Sequence, residues 1–244
     1  MKKKRMLDRI LDILYPPACM FCKRPLSPSD DEPYCRDCMA HLPFTKNYGC
    51  FDAFGGASYL IAPFFYEGGV KRALHDLKFK SKFENAKVLA LFLAGYLENN
   101  PEAKRADVVV PVPLSKKSYI KRGFNQSALL ARTVCERLGL MLGEDALIKV
   151  RETKRQSSLR NFEARANNVL GAFACTSDLS GKTVLLIDDI YTTGMTVYNC
   201  AQALSDAGAS KVIAATVANA HKEIGYSAHN YKGSRLVFGK ERAD

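Results

Sequence analysis

The chain has 244 residues, with 36 lysines and arginines against 25 acids and a formal net charge of +11. That length holds one substantial core with room for a small added module. The charge asks for an anionic partner, whether phosphates, nucleic acid or a membrane surface. No charge-free apolar run approaches spanning length, and Val88–Leu97 is too short, which excludes a transmembrane helix.

In chain order, Arg5 to Leu14 reads as a short amphipathic helix with Met6, Ile10 and Ile13 or Leu14 on one side, stopped by Pro16 and Pro17. It suits packing on the protein itself, the other reading being contact with anionic lipid. Two CxxC knuckles follow, Cys19/Cys22 and Cys35/Cys38, separated by about a dozen residues that include Pro25, Pro28 and Pro33. Four thiolates at this spacing suit a tetrahedral structural Zn²⁺. The alternative is a pair of disulfides. Met1-Lys2-Lys3-Lys4-Arg5 runs into Leu7, Asp8, Arg9 and Asp12 with no uncharged apolar core, so no secretory leader is expected. A reducing compartment is expected, which favours zinc over disulfides. Cys50, Cys135, Cys175 and Cys200 show no pairing logic and read as buried small apolar residues.

After Gly55-Gly56, Tyr59–Tyr66 is predicted as a strand, with helices over Val70–Phe79 and Phe83–Leu97. The second helix carries the stripe Val88, Leu91, Phe92, Leu93 and Leu97. Strand–helix alternation follows. A strand over Asp107–Val112 precedes a helix over Asn125–Leu138 that stops at Gly139. A strand over Thr183–Ile187 precedes a helix over Thr196–Ala207 that ends at Gly208. Lys211–Val217 is a further strand, and Arg235–Phe238 the last. Such alternation implies an α/β fold with a mostly parallel sheet covered on both faces, whose ligands bind at the carboxyl ends of the strands. The expected division is a cysteine module over residues 1–56 and the sheet domain over 57–244.

One strand end carries most of the chemistry. The apolar run ending at Ile187 is followed by Asp188, Asp189, Ile190, Tyr191, Thr192, Thr193, Gly194, Met195 and Thr196. Thr192–Thr196 offers backbone N–H groups and hydroxyls at a helix N-terminus, a ready phosphate site. Two acids beside it would repel that phosphate unless they hold sugar hydroxyls or a divalent cation on the same ligand. A ribose 5-phosphate meets both demands. The order of strand, acid pair and Thr-Thr-Gly-x-Thr resembles the phosphoribosyl pyrophosphate (PRPP) motif of type I phosphoribosyltransferases. That resemblance implies a PRPP site over Asp188–Thr196, with Mg²⁺ near Asp188 and Asp189. The loop leaving the Asp107–Val112 strand carries Lys116, Lys117, Lys121 and Arg122, which suit a pyrophosphate if the two strands are neighbours.

A closer resemblance rests on several segments together: Pro111-Val112-Pro113-Leu114, Lys121-Arg122-Gly123-Phe124-Asn125-Gln126, and Arg151-x-Thr153-x-x-Gln156-x-x-Leu159. To these add Arg165-x-x-Asn168, Gly171-Ala172-Phe173, Tyr66-Glu67-Gly68, Leu77-Lys78-Phe79-Lys80 and the preceding four cysteines. The whole is similar to the ComF family of competence proteins over about residues 10–220. Many relatives carry further CxxC pairs, whereas here only Cys50 follows the second knuckle. The resemblance implies a type I phosphoribosyltransferase-like domain behind a zinc module. It also implies a part in natural transformation, handling incoming single-stranded DNA in the cytoplasm. Other DNA-uptake proteins at the inner face of the membrane are then expected partners, and that face a place of peripheral association. Arg151, Lys154, Arg155, Arg160 and Arg165, set among hydroxyl and amide residues with Phe162, suit backbone tracking of a single strand or a flap closing over PRPP. The second function class is a working transferase with an unidentified nucleophile, and no segment reads as a purine or pyrimidine site.

Overall fold

The computed structural model describes residues 16–27, 30–46, 50–51, 56–151 and 171–221. The N-terminal helix expected over Arg5–Leu14, the cations Lys154, Arg155, Arg160 and Arg165, and the strand expected at Arg235–Phe238 lie outside the described residues. Past the first cysteine knuckle come α1 (Arg36–Ala40), β1 (Cys50–Phe51), β2 (Leu60–Ile61) and β3 (Phe64–Phe65). Helices α2 (Gly68–Lys80), α3 (Phe83–Glu98) and α4 (Pro101–Lys104) lead to β4 (Val108–Pro111), α5 (Lys116–Arg122) and α6 (Gln126–Leu138). Then follow β5 (Leu147–Lys149), β6 (Phe173–Cys175), β7 (Thr183–Tyr191), α7 (Met195–Asp206) and β8 (Lys211–Asn219).

The main sheet runs β1-β2-β8-β7-β4, with β3 also on β8, and every pairing except β1 with β2 is parallel. Along β7 and β8 alternate residues feed two cores. Leu185, Ile187, Ile213 and Ala215 share one with Leu74, Leu93 and Val134 of α2, α3 and α6. Val184, Leu186, Val212 and Ala214 share the other with Cys200 and Leu204 of α7 and Phe173 of β6. Burial on both faces is why these strands read as continuous apolar runs. Strands β5 and β6 form a separate antiparallel pair, and Arg151 lies two residues past the end of β5.

The cysteine module docks on the first core. Phe21, between Cys19 and Cys22, is fully buried, and its carbonyl accepts from Arg72 Nε at 2.8 Å. Gly69 of α2 is required there: a Cβ built on it would stand 2.7 Å from Cβ of Phe21. Among the described residues no helix is long and apolar enough to cross a membrane.

Three elements differ from expectation. The single strand over Tyr59–Tyr66 is two strands, broken at Ala62-Pro63, because Pro63 has no N–H to continue the ladder. The motif strand continues past Ile187 to Tyr191, so the acid pair lies on the strand itself. The basic loop contains a helix, α5, capped by Ser115 accepting from Ser118 N at 3.2 Å and closed by Gly123 at φ 78°. Of the four scattered cysteines, Cys50, Cys135 and Cys200 are buried, while Cys175 is half-buried with its Sγ 3.3 Å from the Ser177 carbonyl.

Candidate functional site

Strands β4 and β7 are neighbours in parallel register, Val108 opposite Val184 through Pro111 opposite Ile187. Their carboxyl ends therefore deliver α5 and the Asp188–Thr196 segment to the same place. Between them lies a cleft of about 620 Å³. Ser118, Lys121 and Arg122 of α5 line one side, and Ile190, Thr192 and Thr196 another. Tyr66 and the end of α2, with Lys78, Phe79 and Ser81, complete it. Lys116 and Lys117 are exposed on the first turn of α5 and are not among the lining residues. Arg122 is braced, donating from Nη1 to Gln126 Oε1 at 2.9 Å and standing 5.6 Å from the centre of the Phe79 ring.

The motif segment divides its labour. Helix α7 starts at Gly194, whose φ of 77° suits glycine, and no side chain caps it. The helix dipole at this end favours a phosphate. Tyr191 and Met195 are buried, so their side chains serve the core while Thr192 and Thr196 line the cleft.

The two acids are held differently. Asp188 Oδ1 accepts from Ser127 Oγ and from the Asp189 N–H, both at 2.8 Å. Burial, with the neighbouring Asp189 carboxylate, pushes the Asp188 carboxyl up to about 7 against the opposing pull of Lys78 and Ser127. Asp189 is 4% exposed, and its Oδ2 lies 2.8 Å from Lys78 Nζ, an ion pair without the alignment of a hydrogen bond. Carboxylates are the hard-oxygen donors that Mg²⁺ takes, but successive residues of a strand face opposite sides, Asp189 is already paired with Lys78, and neither acid is among the residues lining the cleft. Lys78 and Ser127 were not singled out as site residues in the sequence. The signal for Lys78 is its place in Leu77-Lys78-Phe79-Lys80, and only the sheet order shows that this segment reaches Asp189.

The sulfurs of Cys19, Cys22, Cys35 and Cys38 lie within 4.8 Å of one another, and Cys22 Sγ is 3.8 Å from Cys35 Sγ. A tetrahedron with Zn–S bonds of about 2.3 Å has edges of about 3.8 Å, so the four thiols fit zinc. Burial raises the Cys22 thiol, but hydrogen bonds from Arg24 outweigh it and bring it down to about 6, which favours the thiolate a metal needs. Burial and the neighbouring thiols push Cys38 up. Arg151 is exposed, and its N–H lies 3.4 Å from the Ala172 carbonyl.

Residues 125–237 match the model of the phosphoribosyl transferase domain, and residues 10–53 that of the double zinc ribbon domain. The chain is similar to the competence protein ComFC of Streptococcus pneumoniae (strain ATCC BAA-255 / R6), at 32% identity over 186 residues, 74% of this chain and 78% of that protein. It is 34% identical over 145 residues to the DNA utilization protein YhgH of Salmonella typhi, covering 57% of this chain and 62% of that relative's length. With YhgH of Escherichia coli (strain K12) the identity is 28% over 202 residues, 80% of this chain and 86% of the relative.

Proposed function

This chain belongs to the ComFC family of competence proteins, and on that premise we propose that it binds PRPP with Mg²⁺ in the cleft while handling incoming single-stranded DNA on the cytoplasmic side of uptake. The observation that carries the reading is the convergence on one cleft of Lys121 and Arg122 with Thr192 and Thr196, at the carboxyl ends of β4 and β7. The pyrophosphate goes to Lys121 and Arg122, whose guanidinium binds two oxygens at once. The 5-phosphate goes to the Thr192–Thr196 turn, and the ribose hydroxyls face Asp188 and Asp189. Mg²⁺, when bound, neutralises charge between the pyrophosphate and these carboxylates. Arg151, Lys154, Arg155, Arg160 and Arg165 track the DNA backbone or cover the ligand. Zn²⁺ on Cys19, Cys22, Cys35 and Cys38 is structural.

The family match to a phosphoribosyl transferase domain supports a second reading, transfer of the ribose phosphate to a nucleophile with release of pyrophosphate. Titration calorimetry with Mg²⁺ and PRPP tests the first reading. Asp188→Asn with Asp189→Asn should weaken binding, by about 1.5–3 kcal/mol for each lost hydrogen bond to a charged group. Equal affinity in wild type and double variant would remove the site. Pyrophosphate released from PRPP in the presence of a candidate acceptor would move the second reading ahead.

A further inference from the structure

A second cleft, of about 480 Å³, lies against the first, and Tyr66 lines both. It is walled by Lys23 of the cysteine knuckle and by Lys71, Arg72, His75, Asp76 and Lys80 of α2. One carboxylate therefore faces four lysine or arginine side chains. Asp76 is buried and already holds two of them, Lys23 in a close ion pair and Lys80 at 3.0 Å. Lys71 and Arg72 are cations beyond what Asp76 can balance. Lys71 also stands in the first turn of α2, the end where the helix dipole disfavours a positive charge, with Glu67 at the N-cap and the Lys71 Nζ 5.8 Å from the centre of the Tyr66 ring. A helix that merely covered the core would not gather like charges there. The core needs only Val70, Ala73, Leu74 and Leu77.

The outer face of α2 joins this cleft to the PRPP cleft. Along it run Lys71, His75 and Phe79, at helical spacing, while Lys78 turns inward to Asp189. Phe79 is 53% exposed, with the centre of the His75 ring 4.8 Å and the Arg122 guanidinium 5.6 Å from the centre of its own ring. The 13 residues of α2 rise about 20 Å, room for several nucleotides. Cations in a groove with an exposed aromatic ring between them suit a charged backbone carrying flat bases, and neither a lone phosphate nor an acidic peptide would use the ring.

We propose that the cleft between the Lys23 knuckle and α2 holds the backbone phosphates of a single DNA strand, which continues past Phe79 toward the PRPP cleft. This rests on the DNA-handling reading and adds to it a binding face made jointly by the zinc module and α2. The test is a fluorescence-anisotropy titration of labelled oligothymidylate against the full chain and Lys71→Ala/His75→Ala. Zinc content and melting temperature are measured alongside, with calorimetry of PRPP and Mg²⁺ as the control for the other cleft. The double variant should bind DNA about tenfold more weakly, with the slope of log affinity against log salt falling by about 0.7 for each phosphate contact removed. PRPP affinity and zinc content should be unchanged. Unaltered DNA affinity and slope in a folded variant overturn the inference and leave the DNA-handling reading standing. Failure of the wild type to bind the oligonucleotide at low salt overturns both. Inorganic pyrophosphate displacing the DNA from wild type and variant alike, at equal concentration, would assign DNA binding to the PRPP cleft and overturn the inference.

Discussion

Replacing Lys78 by methionine keeps its length and removes its charge, stranding the Asp189 carboxylate in a site where it is 4% exposed. The Lys78 and Asp189 side chains are 19% and 5% exposed, and their charges lie 2.8 Å apart. At that separation an effective dielectric of about 20 gives an attraction of about 6 kcal/mol, most of it offset by desolvation of both ions. Removing one partner of a buried pair costs about 3–5 kcal/mol, because the survivor is left uncompensated. The residual exposure of Lys78 places this case near the low end, about 3 kcal/mol. For a chain of this size that corresponds to a fall of about 9 °C in melting temperature. Urea unfolding of wild type, Lys78→Met, Asp189→Asn and the double variant closes a cycle. The double variant should recover most of the loss, because no charge is then stranded. A loss below about 1 kcal/mol in Lys78→Met, or an equal loss when Asp189 is already Asn, would refute the buried pair as an organising element of the site.

Gly69→Ala forces a Cβ to within 2.7 Å of Phe21 Cβ and should destabilise the chain by about 1–3 kcal/mol in urea, with the cysteine module releasing zinc to chelator more readily. Cys38→Ser should abolish zinc binding, so that elemental analysis reads one zinc per chain in wild type and none in the variant, and should also abolish the burial of Phe21, read as lost near-ultraviolet dichroism. Burial raises the Asp76 carboxyl, but Lys23 and Lys80 outweigh it and hold it below the ordinary carboxylate range. Its contribution to stability is therefore complete above the unfolded value of about 3.9 and is lost as pH falls through the lower folded value. Asp76→Asn should flatten the acid limb of the stability curve below about pH 4, and an unchanged limb would contradict the assignment.

The sheet was legible because β4, β7 and β8 are buried on both faces and show it as unbroken apolar runs. The Asp188–Thr196 segment stood out because hydroxyls, glycine and paired acids seldom share one strand end. Helix α5 was hidden because Lys116–Arg122 has no buried residue to impose a periodicity. Its signals were Ser115 before it and Gly123 after it, both strong end markers. The contacts of Lys78 with Asp189 and of Ser127 with Asp188 span 111 and 61 residues, and only the strand order brings those segments together. Local composition cannot encode such a meeting. The docking of Phe21 on Gly69 is of the same kind, since a Gly-Gly pair before a helix reads as a turn until the neighbour that forbids a side chain is seen.

The central claim is that one cleft takes both ends of PRPP. A crystal structure of the full chain grown with PRPP and Mg²⁺ tests it most directly. The account expects pyrophosphate density against Lys121 and Arg122, the 5-phosphate on the Thr192–Thr196 turn, and ribose hydroxyls within hydrogen-bond reach of Asp188 or Asp189. Ligand density elsewhere on the chain, with these residues unengaged at saturating PRPP, would contradict it.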